Sequence, residues 1–178
     1  SGRVLVNGRE ISERSRRSAA SAGVVFLPGD RVGEAMFGKM SIRENAVAGA
    51  LRAAMPGGFV RRSREYELTR EGVAGLAVKT PHFEVPVSAL SGGNQQRIVI
   101  GKWLSMRPEV LIVDEPTRGI DVGSKSEIHN LIRELAKSGY AVIVISSEMP
   151  EVLHVADRVI GMYQGEIIRT FEAGEVTE

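Results

Sequence analysis

The sequence has no cysteine, which excludes both a disulfide framework and a thiolate metal site. Its charge has almost no bias: 23 Lys and Arg against 22 Asp and Glu leave a formal net charge of +1. A dedicated nucleic-acid binder carries a basic field, so this near-neutrality argues against nucleic acid as a partner. The histidines His82, His129 and His154 are scattered without ligand spacing and give no imidazole metal site. Long apolar runs are also missing. Crossing a bilayer takes roughly 20 such residues, whereas a run such as Ala141 to Ile145 has the length of a strand. The opening Ser1-Gly2-Arg3 leads straight into strand-like sequence without a leader pattern. These absences give the expectation of a soluble, cytoplasmic chain that meets any membrane through a partner. What is present, 178 residues of ordinary apolar content, suffices for one compact domain with a core.

Along the chain, Arg3 to Val6, Asn7-Gly8 and Arg9 to Ile11 read as a hairpin with a type I′ turn. Val24 to Leu27 is a continuous apolar run stopped by Pro28-Gly29, as a buried strand requires. The pattern then turns helical. Ser41-x-x-Glu44 is a capping box opening a helix through Ala46, Val47 and Leu51, and Met55-Pro56-Gly57-Gly58 ends it. A second helix is predicted over Ser63 to Val78, followed by a loop bracketed by Pro81 and Pro86. After Pro108 the strand Val110 to Val113 stops at Asp114-Glu115-Pro116. A further capping box, Ser124-x-x-Glu127, opens a helix whose Ile128, Leu131, Ile132 and Leu135 share one face and which Gly139 closes. Ala141 to Ile145 is again a buried strand, and Pro150 suits the first turn of a short helix. Arg158 to Tyr163, Gln164-Gly165 and Glu166 to Phe171 make a last hairpin. Strands alternating with helices predict an α/β fold: a mostly parallel sheet covered on two sides, with antiparallel hairpins at its edges. The expected organisation is one domain, 1–178, with a sheet core of 1–28 and 108–178 and a helical subdomain inserted at about 29–107.

Two stretches carry chemistry. Leu90-Ser91-Gly92-Gly93-Asn94-Gln95-Gln96 precedes the helical run Arg97 to Leu104. Its glycines let a backbone approach a ligand, and a helix start leaves N–H groups unpaired at the positive end of the dipole. That is an anion seat, to which the Ser91 hydroxyl adds a donor. The second stretch is Val110-Leu111-Ile112-Val113-Asp114-Glu115-Pro116-Thr117, beginning 19 positions after Ser91 (110 − 91). A buried strand ending in two acids sets carboxylates at the carboxyl edge of a parallel sheet, where such folds bind ligands. Beside a polyphosphate, one acid can hold Mg²⁺ while the other handles the attacking water. Each stretch alone has a plain alternative, a capped helix or a strand end with solvated acids; their order and spacing argue for the functional reading.

LSGGNQQ at 90–96 resembles the signature sequence of ATP-binding cassette proteins, VLIVDEPT at 110–117 their Walker B strand, and Gly119-Ile120-Asp121 the D-loop. With LPGDR at 27–31, Ser41-Ile42-Arg43-Glu44-Asn45, DEPTRGIDVG at 114–123 and SSEMPEVL at 146–153, the whole chain resembles the C-terminal nucleotide-binding domain of the double-domain ATPase subunit of bacterial ribose- and galactose-type importers. The resemblance implies a partial P-loop-type ATPase fold, ATP and Mg²⁺ as substrate and cofactor, and sugar import as the process driven. Asp114 would hold the metal and Glu115 would act as general base. Ser91, Gly92 and Gly93, within a signature that continues through Asn94 and Gln95, would grip the γ-phosphate of ATP on an opposing domain. Asp121 would link the two sites across that interface. The implied partners are a second nucleotide-binding domain, transmembrane permease subunits and, indirectly, a periplasmic sugar-binding protein, with the subunit peripheral on the cytoplasmic membrane face.

The chain departs from a working ATPase in three places. GEAMFGKM at 33–40 is a near miss to a P-loop, but the Ser41 cap starts the helix after Lys39, and Met40 has no hydroxyl for Mg²⁺. The family order puts the P-loop and the adenine-stacking aromatic ahead of Ser1, so the fragment alone is expected to be inactive. The Q-loop glutamine falls at Gly29 and the switch histidine at Ser147. These changes favour a second reading, a degenerate half-site that completes its partner's active site. A third, a DNA-repair or chromosome-organising cassette, lacks support from coiled-coil heptads, a basic stripe or zinc cysteines. Trp103 and the run Arg61-Arg62-Ser63-Arg64 read as core packing and a solvated helix start, and His154 as a surface residue.

Overall fold

The computed structural model describes residues 2–11 and 15–172, so Ser1, 12–14 and 173–178, all included in the expected domain, lie outside the described residues. The hairpin β1 (Leu5–Val6) and β2 (Arg9–Glu10) is followed by α1 (Arg16–Ser21) and β3 (Val24–Leu27). Then come α2 (Ile42–Val47), α3 (Arg62–Val73) and α4 (Gly92–Leu104). The chain continues through β4 (Val110–Asp114), α5 (Val122–Lys137), β5 (Ala141–Ile145), α6 (Met149–Val155) and the hairpin β6 (Arg158–Tyr163) and β7 (Glu166–Glu172). The fold class is α/β, as the alternation of patterns requires.

The parallel sheet has the order β3-β4-β5, with Leu27 beside Val113 and Val113 beside Val144. Its alternate side chains diverge in fate. Val25, Leu27, Leu111 and Val113 join Ile98, Val99 and Ile100 of α4 and Leu135 of α5 in the main core. Val142 and Val144 pack on Ile120, Ile128 and Ile132. The opposite face carries Phe26, Ile143 and Ile145, each 46–51% exposed. The expectation of a sheet covered on two sides is therefore corrected: among the described residues, helices cover one. The cause is the strand order. Both crossovers, β3 to β4 and β4 to β5, step in the same direction, and right-handed connections then place both helices on the same face.

The two hairpins form small sheets of their own rather than extending the edges of the parallel one. Asn7 and Gly8 (φ 49° and 76°) and Gln164 and Gly165 (φ 48° and 83°) take the left-handed backbone that a type I′ turn needs.

Three helix boundaries differ from the sequence pattern. The Ser41–Glu44 capping box forms with both of its bonds, but α2 ends at Val47 and continues as 3₁₀ turns over Ala48–Ala54, kinked at Ala50. Here Gly49 lies against α4, where a Cβ would stand 2.5 Å from the Lys102 carbonyl oxygen. Next, α3 stops at Val73 because Ala74 turns extended and Gly75 and Ala77 take positive φ. Finally, α5 begins three residues before the expected start, capped by Asp121, whose carboxylate accepts the Ser124 N–H at 2.9 Å. Ser124 is thus inside the helix, and Glu127 pairs with Arg97 of α4 instead of closing a capping box.

An ion network joins α2 to α3. Arg43, 8% exposed, donates to Glu65 and to Glu84, and Tyr66 adds its hydroxyl to Glu84 at 2.6 Å. Arg43 first and Tyr66 second hold the Glu84 carboxyl down at about 2.

Candidate functional site

The head of α4 is open at Ser91, half-buried at Gly92 and buried at Gly93. Ser91 is exposed and N-caps the helix, its hydroxyl oxygen accepting from the Asn94 side-chain amide at 3.1 Å and, more loosely, from the Asn94 backbone N–H. The backbone N–H groups of Gly92 and Gly93 have no hydrogen-bond partner among the described residues. These are the donors that a 13-residue helix leaves at its positive end. Its immediate neighbours are polar. A Cβ on Gly92 would meet Arg31 Nη2 and the Gly119 carbonyl, both at 3.3 Å, and one on Gly93 would lie 2.9 Å from the Ser124 Cβ. Both glycines therefore serve a close approach between this helix head and the turn at 119–124, besides any approach to a ligand.

Asn94 and Gln95 brace that head. The Asn94 side-chain Oδ1 accepts the Lys79 N–H at 3.0 Å. Gln95 donates through Nε2 to the Leu90 carbonyl at 3.0 Å and accepts at Oε1 from Arg31 Nε at 3.2 Å. Arg31 Nη1 reaches the Arg118 carbonyl at 3.4 Å. Burial lowers the Arg31 pKa. Asp121, in the same turn, has its pKa lowered by the hydrogen bonds it accepts from Ser124.

The acids sit at the carboxyl end of β4, the central strand. Alternation places Asp114 on the open face of the sheet, opposite Ile145. Glu115 follows in left-handed backbone, φ 44°, a conformation that costs a non-glycine residue free energy and is found at functional sites. Two bonds fix it: its N–H donates to the Ile145 carbonyl at 2.8 Å, and its Oε1 accepts the Ser147 N–H at 2.9 Å. Ser147 thus reaches the acid through its backbone. Gly29 abuts the pair, where a Cβ would lie 3.2 Å from the Glu115 Cβ and 3.6 Å from Asp114 Oδ2. A side chain at 29 would crowd the Glu115 Cβ and sit in ordinary contact with the Asp114 carboxylate.

For a metal, no cluster of three or more His, Asp or Glu occurs among the described residues. One half-buried carboxylate, Asp114, suits Mg²⁺, which keeps most of its shell as water and phosphate oxygen.

Ser91 to Gln95 and Asp121 are brought together through Arg31 and the turn at 118–121, while Gly29, Asp114, Glu115 and Ser147 gather at the strand ends. The near-miss P-loop forms no cradle: Arg31–Ala35 is a π-type turn, and Lys39 is exposed in a turn ahead of the Ser41 cap. Sequence reasoning missed Arg31, whose partners lie 64 and 87 positions away. It also missed a buried cluster in which Glu151, 2% exposed, accepts from Thr117 Oγ1 at 2.7 Å and meets His129 Nε2 at 2.9 Å. His154, exposed as expected, lies beside His129 with ring centroids 5.3 Å apart and planes tilted by 43°. Trp103 packs against the main core, with Lys102 Nζ over its ring at 4.9 Å.

A family profile described as ABC transporter matches residues 1–118. The chain belongs to the ABC transporter family. Proteins named ribose import ATP-binding protein are similar to it across its length: 44% identity over 99% of the chain in Rhodopirellula baltica, and 43% over 100% in Chelativorans. In both cases it spans 35% of the relative's own length. Among solved structures, the ATP-binding cassette MJ1267 of an ABC transporter shares the fold at TM-score 0.80 and 21% identity, over 98% of this chain and 71% of that one. A second solved structure, cbiO1 from Clostridium perfringens, part of the ABC transporter complex cbiONQ, matches at TM-score 0.76 and 26% identity, over 98% of this chain and 67% of that one.

Proposed function

We propose that this ABC-family chain is part of the ATP-hydrolysing subunit of a monosaccharide importer, and that it presents the head of α4 to ATP held by a second nucleotide-binding domain. One observation carries the reading: Ser91 is exposed beside two unpaired backbone N–H groups, with polar neighbours around them. Such a head has donors to offer a terminal phosphate from outside and no P-loop beside it. A sugar as cargo is supported by relatives named for ribose import, and by a putative ribose, galactose and methyl galactoside import protein of Agrobacterium fabrum at 42% identity.

In this reading the Ser91 hydroxyl and the Gly92 and Gly93 amides donate to the γ-phosphate as negative charge spreads over its oxygens. Asn94, Gln95 and Asp121 keep that head and the facing turn in register. Asp114 would hold Mg²⁺, which supplies charge neutralisation when bound. Glu115, aimed by the Ser147 amide, would accept a proton from the attacking water. Closure of two domains around ATP and reopening after hydrolysis would drive permease subunits fed by a periplasmic binding protein. Among the described residues no helix is long and apolar enough to cross a membrane, which agrees with a peripheral subunit on the cytoplasmic face.

A second reading, a half-site that hydrolyses little at its own acids, is favoured by Gly29 and Ser147. Gly29 has no side chain to contact metal or water as a glutamine would, and Ser147 cannot clamp γ-phosphate as a charged histidine would, although its amide still aims Glu115.

The test is Ser91→Arg in the complete subunit. Bulk at the helix head should lower sugar uptake and ATP turnover by at least ~10²-fold, the scale of losing one preorganised donor. Uptake at the parent rate removes the seat.

A further inference from the structure

We infer that Arg31 is a positioning residue for the phosphate seat, fastening the head of α4 to the turn before α5 through both arms of its guanidinium. The inference rests on Ser91 to Gly93 being that seat.

Arg31 opens the π-type turn Arg31–Ala35 that leaves β3, a turn capped by the Asp30 carboxylate accepting the Gly33 N–H at 2.8 Å. From there it bridges two segments that also pack directly on each other at Gly92 and Gly93. Nε donates to Gln95 Oε1 at 3.2 Å, Nη1 donates to the Arg118 carbonyl at 3.4 Å, and Nη2 lies over Gly92. Gln95 passes the contact on, since its Nε2 holds the carbonyl of Leu90, the residue before Ser91. The guanidinium, the Gln95 amide and the Leu90 carbonyl thus form a relay from the β3 exit to the seat. A planar fork with fixed N–H directions can serve both acceptors at once, whereas an ammonium is a single point.

The charge itself is informative. Arg31 has no ion pair among the described residues, and burial is what lowers its pKa. A half-buried cation without a counter-ion is costly, and apolar packing would stabilise such a junction as well or better. Here the cation also reinforces the positive end of α4. Its position is explained by preorganisation: the seat is held in one geometry before a phosphate arrives. ATP is first bound by the cradle of the opposing domain, so loss of the fork acts on closure and turnover rather than on ATP capture.

The experiment measures ATPase kcat and KM of the full subunit assembled with its permease, for Arg31→Lys, Arg31→Gln, Gln95→Ala and the Arg31→Gln/Gln95→Ala double variant. We expect both Arg31 variants to lose ~10-fold or more in kcat, the scale of a displaced positioning contact, with KM for ATP within about 2-fold of the parent. The double variant should be no worse than the poorer single one, because the two residues act as a unit. Parent-like kcat in Arg31→Lys, a raised KM with unchanged kcat, or full additivity with Gln95→Ala each overturns the inference. Should Arg31→Gln fail to fold, Gln95→Ala carries the same kcat-against-KM comparison. Ser91→Arg, run alongside, separates the two levels. If it abolishes turnover while the Arg31 variants change nothing, only the positioning role falls; if it too is harmless, the seat falls.

Discussion

At the scale of residues, Glu115 carries the most tension. A left-handed glutamate (φ 44°) held by the Ile145 carbonyl on one side and the Ser147 amide on the other is overdetermined by its surroundings. Strain of this kind persists where a side chain must be aimed. In the complete subunit Glu115→Gln should keep the amide contact but lose the proton acceptor, and turnover should fall by ~10²-fold, the lower range for a general base. A rate within about 2-fold of the parent would assign hydrolysis to the opposing site and leave this domain the half-site role. Asp114 and Glu115 were legible in the sequence because a buried strand running into two acids has one outcome, side chains at the sheet edge. Arg31 was not. A lone arginine in a loop announces no partner, and its two acceptors come from segments 64 and 87 residues downstream.

Elements were legible where a local rule set them. The Ser41–Glu44 box, the two Asn-Gly and Gln-Gly turns and the apolar runs of β3, β4 and β5 all formed at the residues that specify them. Ends set by packing were not legible. The close approach of Gly49 to α4 accompanies the early end of α2, and Asp121 outcompetes Ser124 for the start of α5. The α2–α3 junction offers a test in pH. Glu84 sits at about 2 instead of 4.5, chiefly through its hydrogen bond from Arg43. A carboxyl depressed on folding contributes stability that is complete above its unfolded pKa and is lost as pH falls through the folded one. The window here therefore runs from about 4.5 down to about 2. At neutral pH Glu84→Gln should have a lower urea midpoint than its parent, and the two curves should converge across that window. A gap that stays constant down to pH 2 would mean that the ionised carboxylate contributes nothing.

At the scale of the whole molecule, the α/β class followed from alternation of patterns, whereas the uncovered sheet face did not. Alternation says that helices lie between strands; only strand order says on which side, and strand order is not written in any local run. That face holds Asp114 together with the exposed Phe26, Ile143 and Ile145. The acid proposed to hold Mg²⁺ thus stands over open surface, and nothing among the described residues cradles a polyphosphate beside it. The stretch that mimics a cradle, 33–40, ends in an exposed Lys39 and a methionine before the Ser41 cap, so its amides do not converge at a helix start. Mg-ATP titrated calorimetrically into these 178 residues alone should accordingly bind with Kd no tighter than ~1 mM, about −4 kcal/mol. Affinity near ~1 μM would require some 4 kcal/mol more. Asp114 and an α4 head built to face outward cannot supply that, so such a result would place a working cradle inside the chain and turn the proposed half-seat into a complete site.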